Sequence, residues 1–470
     1  MTKSIEADIC IIGAGSGGLS VAAGAAQLGR KVVLIEKGEM GGDCLNTGCV
    51  PSKALLAAGS RAHAIRSSGK FGITGAEPQV DFSAVMDHVH GVISAIAPID
   101  SQERFEGLGV TVLREHASFT GPRQLKAGPS IVNAKHFVIA TGSTPFVPPI
   151  SGLSQGPYFT NEDIFNNRTL PDHLIVIGGG PIGVELAQAH RRLGSKVSIV
   201  EGQTILNKDD PELVSIMRDQ LIDEGVKVYE GAMVDAVIHN ADGVSVAVDG
   251  QTISGSHLLV AVGRKPTVDD LNLEAANVQF DPRGVEVDKR LRTSNKRIYA
   301  IGDVIGGRQF THVAGYHASI VVRNMLFKMP ATNNDDQAPW VTYSDPELAH
   351  VGLTEEDAQK NHNDITVSRW SFEENDRAQA ERNTKGLVKV VTGKGGKIFG
   401  ASIVGPGAGD LIQPWAFALS NGQKIKAFTN YIAPYPTRGE ASKRAAGAFY
   451  TPTLFSKKTK MLVSFLSIFD

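Results

Sequence analysis

Two cysteines five residues apart carry the most reactive side chains of this sequence, in the run Gly41-Gly42-Asp43-Cys44-Leu45-Asn46-Thr47-Gly48-Cys49-Val50-Pro51-Ser52-Lys53. Thiolates are nucleophiles, soft metal ligands and two-electron redox partners. Residues at this spacing do not share a face of a regular helix, but a turn loosened by Gly48 can close them into a disulfide. The alternative is two unpaired cysteines in a loop. So short a loop gains little as a structural staple, and three cysteines in 470 residues are too few for a secreted disulfide framework. Any disulfide here is therefore expected to be catalytic. The third cysteine lies in Ile9-Cys10-Ile11-Ile12, which reads as a buried parallel strand and predicts an inert core residue.

The elements that must position the pair are legible as an internal repeat. A strand, a glycine turn, a small-residue helix, a second strand and a terminal acid run from Ile9 to Glu36 and again from Leu174 to Glu201. Gly13 corresponds to Gly178, Gly29 to Gly194 and Glu36 to Glu201, a constant offset of 165 residues. Each copy fits a dinucleotide-binding βαβ unit, with Gly13, Gly15 and Gly18 in the first and Gly178, Gly180 and Gly183 in the second. The first glycine allows the tight turn, the second admits a pyrophosphate to the backbone, and the third lets helix and strand pack closely. Phosphates then sit on the helix N-terminus, whose unpaired N–H groups favour anions. Glu36 and Glu201 are placed to bind ribose hydroxyls, and a carboxylate at 201 with no arginine close behind predicts NAD over NADP. Two dinucleotides suggest one electron carrier and one resident flavin.

Composition excludes several classes. Charged residues make up 20%, and 47 Lys+Arg stand against 49 Asp+Glu, so a generally basic nucleic-acid binder is disfavoured. The N-terminus turns acidic before any apolar stretch, unlike a signal peptide, and the apolar tail from Leu462 to Phe469 is far shorter than the ~20 residues of a membrane helix. A cytoplasmic protein without membrane contact is expected, its tail packed on a partner subunit. The 13 histidines are scattered and are expected to be solvated or locally satisfied.

At ~150 residues per domain the length predicts about three domains. Phe137 to Gly142, Leu258 to Arg264 and Ile298 to Asp303 read as strands running into turns, with a linker-like stretch from Pro145 to Pro149. The second βαβ unit then reads as inserted into the first domain. The expected boundaries are 1–149 and 270–340 for the two parts of the first dinucleotide domain, 150–269 for the second, and 341–470 for a separate C-terminal domain.

The cysteine segment resembles the active-site segment of the pyridine nucleotide-disulfide oxidoreductases, a family that includes dihydrolipoamide dehydrogenase, glutathione reductase and mercuric reductase. The resemblance extends over nearly the whole chain. It implies an α/β fold with two Rossmann-type domains, the first for FAD and the second for NAD(P)H, plus a C-terminal α+β dimerisation domain and hence a homodimer. It also implies a redox-active Cys44–Cys49 disulfide, with Cys49 facing the flavin and Cys44 meeting substrate. Lys53 matches the family lysine at the flavin and Glu185 its ion-pair partner. Thr141, Gly142, Gly263, Gly302 and Asp303 fall in segments that match cofactor-contacting ones.

The resemblance breaks at Tyr435-Pro436-Thr437-Arg438-Gly439-Glu440. Disulfide-reducing members carry His-Pro-Thr followed by a glutamate, an acid-base dyad contributed by the partner subunit; here Glu440 is kept and Tyr435 replaces the histidine. A phenol of pKa ~10 shuttles protons poorly at neutral pH compared with an imidazole of ~6.5. Pro434-Tyr435 is similar instead to mercuric reductases, where a tyrosine lies near metal-binding cysteines, although this tail lacks their terminal cysteine pair. The sequence therefore predicts electron flow to a soft metal ion such as Hg(II) or a related acceptor. A dihydrolipoamide dehydrogenase acting on a dithiol, and a redox sensor without efficient turnover, are the alternatives. No resident metal site is expected.

Overall fold

The computed structural model describes residues 3–241 and 243–469. The chain divides into two compact units, one drawn from the chain up to Arg66, Ala76–Gly202 and Ala232–Asp335, the other from Ser67–Gly75, Gln203–Gly231 and the chain from Asp336 onward.

In the first unit, strand β1 (Lys3–Ile12) is followed by helix α1 (Ser16–Gln27) and strand β2 (Val32–Ile35). Two helices, α2 (Gly42–Asn46) and α3 (Cys49–Arg66), carry the cysteines, and α4 (Phe82–Asp100) and α5 (Gln102–Gly107) lead into β3 (Thr111–Leu113), β4 (Ala117–Gly121), β5 (Gln124–Ala127) and β6 (Ser130–Ile139). These strands lie in the order β3-β2-β1-β6-β5-β4, with Ile298–Ala300 also paired on β6. β1 runs parallel to both neighbours, Cys10 opposite Val33 and Phe137.

Both faces of this sheet are covered, which is why its central strands are continuous apolar runs. Cys10, Ile12, Val33, Phe137 and Ile139 point into one core. Ile9, Ile11, Val32, Leu34 and Val138 point into another, closed by Val21 and Ala25 of α1 and by Ile320 and Val321 of helix Thr311–Leu326. Cys10 is fully buried, and burial holds its thiol in the neutral form, as expected of an inert core residue.

Strand β7 (Ser143–Pro145) pairs with Arg264–Pro266, so the stretch expected to be a linker begins as a strand. The second βαβ unit follows as β8 (His173–Ile177), α6 (Pro181–Leu193) and β9 (Lys196–Glu201). β8 is flanked in parallel by β9 and by His257–Val260.

The helical stretch Phe82–Gly107, 26 residues, is long and apolar enough by length and composition to cross a membrane. It is interrupted at Ser101, whose backbone is extended, and Phe82, Met86, Val89 and Phe105 are its buried residues.

The second unit contains a five-stranded antiparallel sheet in the order Trp340–Thr342, Glu347–Gly352, Ile398–Gly405, Leu387–Gly393, Ile365–Ser371. Val388, Val390 and Ile403 pack with Trp415, Ala441 and Ala445 of its helices. Residues 203–231 also cluster with this unit, in which buried Lys389 meets Asp210 at 2.7 Å and Glu212 at 2.8 Å, and Trp340 Nε1 donates to Asp209 at 2.8 Å. The tail helix Lys457–Leu466 has no buried residue, and Met461, Phe465 and Ile468 are exposed.

Candidate active site

The two glycine turns repeat atom for atom. Gly13 N donates to Ile35 O and Gly178 N to Val200 O, both at 2.8 Å. Their φ values are +101° and +109°, conformations that L side chains rarely adopt. A Cβ on Gly18 would stand 1.9 Å from Gly13 O, and one on Gly183 2.0 Å from Gly178 O, so both third glycines are packing requirements. Gly15 and Gly180 differ: a Cβ there would meet nothing within 4 Å. No side chain caps α1 or α6, so each presents its first-turn N–H groups to that open space. This donor set fits a dinucleotide pyrophosphate at both turns.

The two acids close the turns they follow. Glu36 Oε2 accepts from Ala14 N at 2.6 Å and Oε1 from Gly38 N at 2.7 Å, and Glu201 Oε2 accepts from Gly179 N at 2.7 Å. Glu36, Gly13 and Thr141 line one cleft together with His116 and Asp269. Thr141 Oγ1 donates to Thr267 O at 2.7 Å. Gly142 and Gly263 have φ of +69° and +137° with open space where a side chain would be. Gly302 N donates to Nδ1 of buried His317 at 3.2 Å. Asp303 accepts from Ser143 Oγ at 2.7 Å, and burial raises its carboxyl above the usual range.

The redox segment folds as two helices broken at Thr47-Gly48, which brings the cysteines together. Cys44 is half-buried and Cys49 exposed, and their side chains are hydrogen-bonded to each other. Donation from Cys44, then from Thr311, and the charge of Lys53 lower Cys49 to about 6 against the opposing effect of burial. The same contact and burial push Cys44 up. The pair is thus polarised, with a thiolate at Cys49 and a thiol at Cys44. Lys53, one helical turn after Cys49, meets Glu185 of α6 at 2.8 Å, and Glu185 is almost fully buried.

Thr311, 3.3 Å from Cys49 Sγ, is a site residue that sequence reasoning missed. A threonine opening a helix 262 residues away carries no local signal. Also missed was the network under the cysteines, in which Asp43, Asn161, Arg264 and Ser143 are linked by hydrogen bonds.

Tyr435 and Glu440 belong to the second unit. Tyr435 is exposed and its hydroxyl donates to Asp376 Oδ2 at 2.9 Å, which raises the phenol above its ordinary 10. Glu440 is the first residue of helix Glu440–Ala448. The histidines depart from expectation at His190, fully buried with Nε2 unpartnered; burial lowers it to about 4, so it is neutral in a core that tolerates it uncharged. Among the described residues no group of three or more His, Cys, Asp or Glu is arranged to hold a metal ion.

Residues 7–318 match the family described as pyridine nucleotide-disulphide oxidoreductase, and residues 338–446 match its dimerisation domain. The chain belongs to this family. Among curated relatives of the oxidoreductase, mercuric reductase of Streptomyces lividans is 35% identical over 454 residues, covering 94% of this chain and 96% of that one. Dihydrolipoyl dehydrogenase of Thermus scotoductus is 36% identical over 459 residues, with 94% and 97% covered. The HOCl-induced flavoprotein disulfide reductase RclA from Escherichia coli superposes with a TM-score of 0.85 at 27% identity, covering 94% of this chain and 99% of that one, and its Cu(II) complex with 0.83 at 28%, covering 93% and 98%. The family is FAD-binding and uses NAD(P)H, and its dimerisation domain is present here.

Proposed function

We propose that this oxidoreductase is a homodimer that passes electrons from NADH through FAD and the Cys44–Cys49 pair to a soft metal ion such as Hg(II) or a related acceptor. The observation that carries this reading is Tyr435. With its proton held by Asp376, it cannot take up a thiol proton near neutral pH, which weakens the case for thiol-disulfide exchange with a dithiol substrate. Thiolates are soft ligands suited to soft metals, and similarity to mercuric reductases and to a reductase with a Cu(II) complex supports that acceptor class.

The first turn, with Gly13, Gly15, Gly18, Glu36, Thr141, Gly142, Gly302 and Asp303, would hold FAD. The second, with Gly178, Gly180, Gly183, Glu201 and Gly263, would hold NADH, the carboxylate of Glu201 disfavouring a 2′-phosphate. Bound there, FAD supplies a two-electron relay between nicotinamide and cysteines. Cys49 keeps the thiolate beside that relay, stabilised by Thr311 and Lys53, while Cys44 takes the acceptor. Glu185 holds the Lys53 ammonium in place. Glu440 and Tyr435 would complete the acceptor site from the partner subunit. Such a reading places the protein in the cytoplasm, without membrane or nucleic acid.

A second reading, dihydrolipoyl dehydrogenase, is favoured by relatives of equal identity and by Glu440. NADH oxidation measured side by side with lipoamide, Hg(II) plus excess thiol, and Cu(II) separates the two. Turnover with a metal that is lost in Cys44→Ser, with little lipoamide activity, supports the proposal. Fast lipoamide turnover overturns it.

A further inference from the structure

The carboxylate of Asp43, immediately before Cys44, is the acceptor at which three donors converge. Thr47 Oγ1 reaches its Oδ1 at 2.9 Å, Asn161 Nδ2 at 3.1 Å and Arg264 Nη2 at 3.3 Å. The donors come from different parts of the first unit: Thr47 from the turn between the cysteines, Asn161 from the segment before β8, Arg264 from the strand paired with β7. They also brace one another. Asn161 Nδ2 is shared with Thr47 O at 3.1 Å, Arg264 Nη1 donates to Asn161 Oδ1 at 3.2 Å, and Arg264 Nε and Nη2 donate to Ser143 Oγ and O at 2.8 and 2.9 Å. Oδ2 lies under Gly48, where a Cβ would stand 2.7 Å from it. One side chain, partly exposed, therefore straps the loop that separates the cysteines to two remote elements.

We propose that Asp43 is the positioning residue of the redox loop. Asp43 holds the loop so that Cys44 and Cys49 stay in hydrogen-bond contact, the arrangement from which a disulfide closes. Holding two reacting groups together raises their effective concentration for each other, so the strap favours the disulfide over the dithiol and speeds its closure. On closure the Cys44 S–H bond breaks and one S–S bond forms to the Cys49 thiolate. The two electrons and the Cys44 proton pass to an external disulfide, which leaves as a dithiol, its second proton coming from solvent.

The test uses the FAD-loaded full-length protein, without NADH, equilibrated in mixtures of reduced and oxidised dithiothreitol. Thiols at 44 and 49 are then counted by alkylation and mass spectrometry. Asp43→Ala is expected to lower the disulfide equilibrium constant and the closure rate about five- to tenfold. Asp43→Asn keeps an oxygen where the three donors meet and is expected to stay within about twofold of the parent. Asn161→Ala, which removes one strap from outside the loop, should fall between them. An unchanged equilibrium and rate in Asp43→Ala overturns the proposal. So does an Asp43→Asn variant as impaired as Asp43→Ala, because charge rather than positioning would then be responsible.

Discussion

At the scale of single residues, polarisation of the cysteine pair makes a measurable claim. With Cys49 lowered to about 6, the reduced protein is expected to be alkylated at Cys49 with a rate that rises through a midpoint near pH 6. Removing the principal donor by Cys44→Ala should move that midpoint up toward the ordinary 9. Thr311→Val removes the next donor and should raise it by about half a unit to one unit. Lys53→Met should raise it too, and should also cost about 1–2 kcal/mol of stability by leaving Glu185 buried without its cation, less than for a fully buried pair because Lys53 is partly exposed. Urea unfolding against a pH-resolved alkylation profile separates the two effects. Of these residues the cysteines, Lys53 and Glu185 were legible in the sequence through motif and resemblance. Thr311 was not, because what singles it out is its place beside Cys49 and not its neighbours in the chain.

At the scale of elements, the glycine turns separate packing from ligand binding. Gly18→Ala drives a methyl into Gly13 O at 1.9 Å and is expected to lower stability by about 2–3 kcal/mol even without cofactor. Gly15→Val places its side chain in open space and should leave the apoprotein's thermal midpoint nearly unchanged while FAD is retained poorly on gel filtration. Equal loss of apoprotein stability in both would contradict this division. A second element-level claim concerns Asp209, which burial raises from 3.8 to about 6 despite its bond from Trp340. The folded state binds the extra proton between those values. Its contribution to stability is therefore complete below pH 3.8 and is lost as pH rises through about 6. Asp209→Asn is expected to stabilise the protein at pH 7 by about 1–3 kcal/mol and to change little below pH 4, as read from thermal unfolding across that range.

For the whole molecule, the exposed tail helix is the part that a single chain leaves unexplained. Phe465, Leu466, Ile468 and Phe469 are all more than half exposed and lie beyond the dimerisation domain, which ends at residue 446. Burying them is worth about 1.5–3 kcal/mol each. If they pack on a second copy, Phe465→Asp combined with Ile468→Asp should shift the sedimentation of the protein toward the monomer at micromolar concentration. Unchanged sedimentation would show that the tail is covered by something else or not at all.

The sequence by itself determined both βαβ units, their glycines and terminal acids, the buried first strand and the reactive segment. The reason is that turn geometry, apolar runs and helix starts are encoded over stretches of about thirty residues. Tertiary structure alone decided what the sequence separation hides. Thr311 meets Cys49 across 262 positions. Asp210 and Glu212 meet buried Lys389, more than 170 positions further along the chain. Tyr435 donates a hydrogen bond to Asp376, 59 residues before it. Such partnerships depend on which strands lie side by side and which charges must be neutralised once buried, and neither is written in any local pattern.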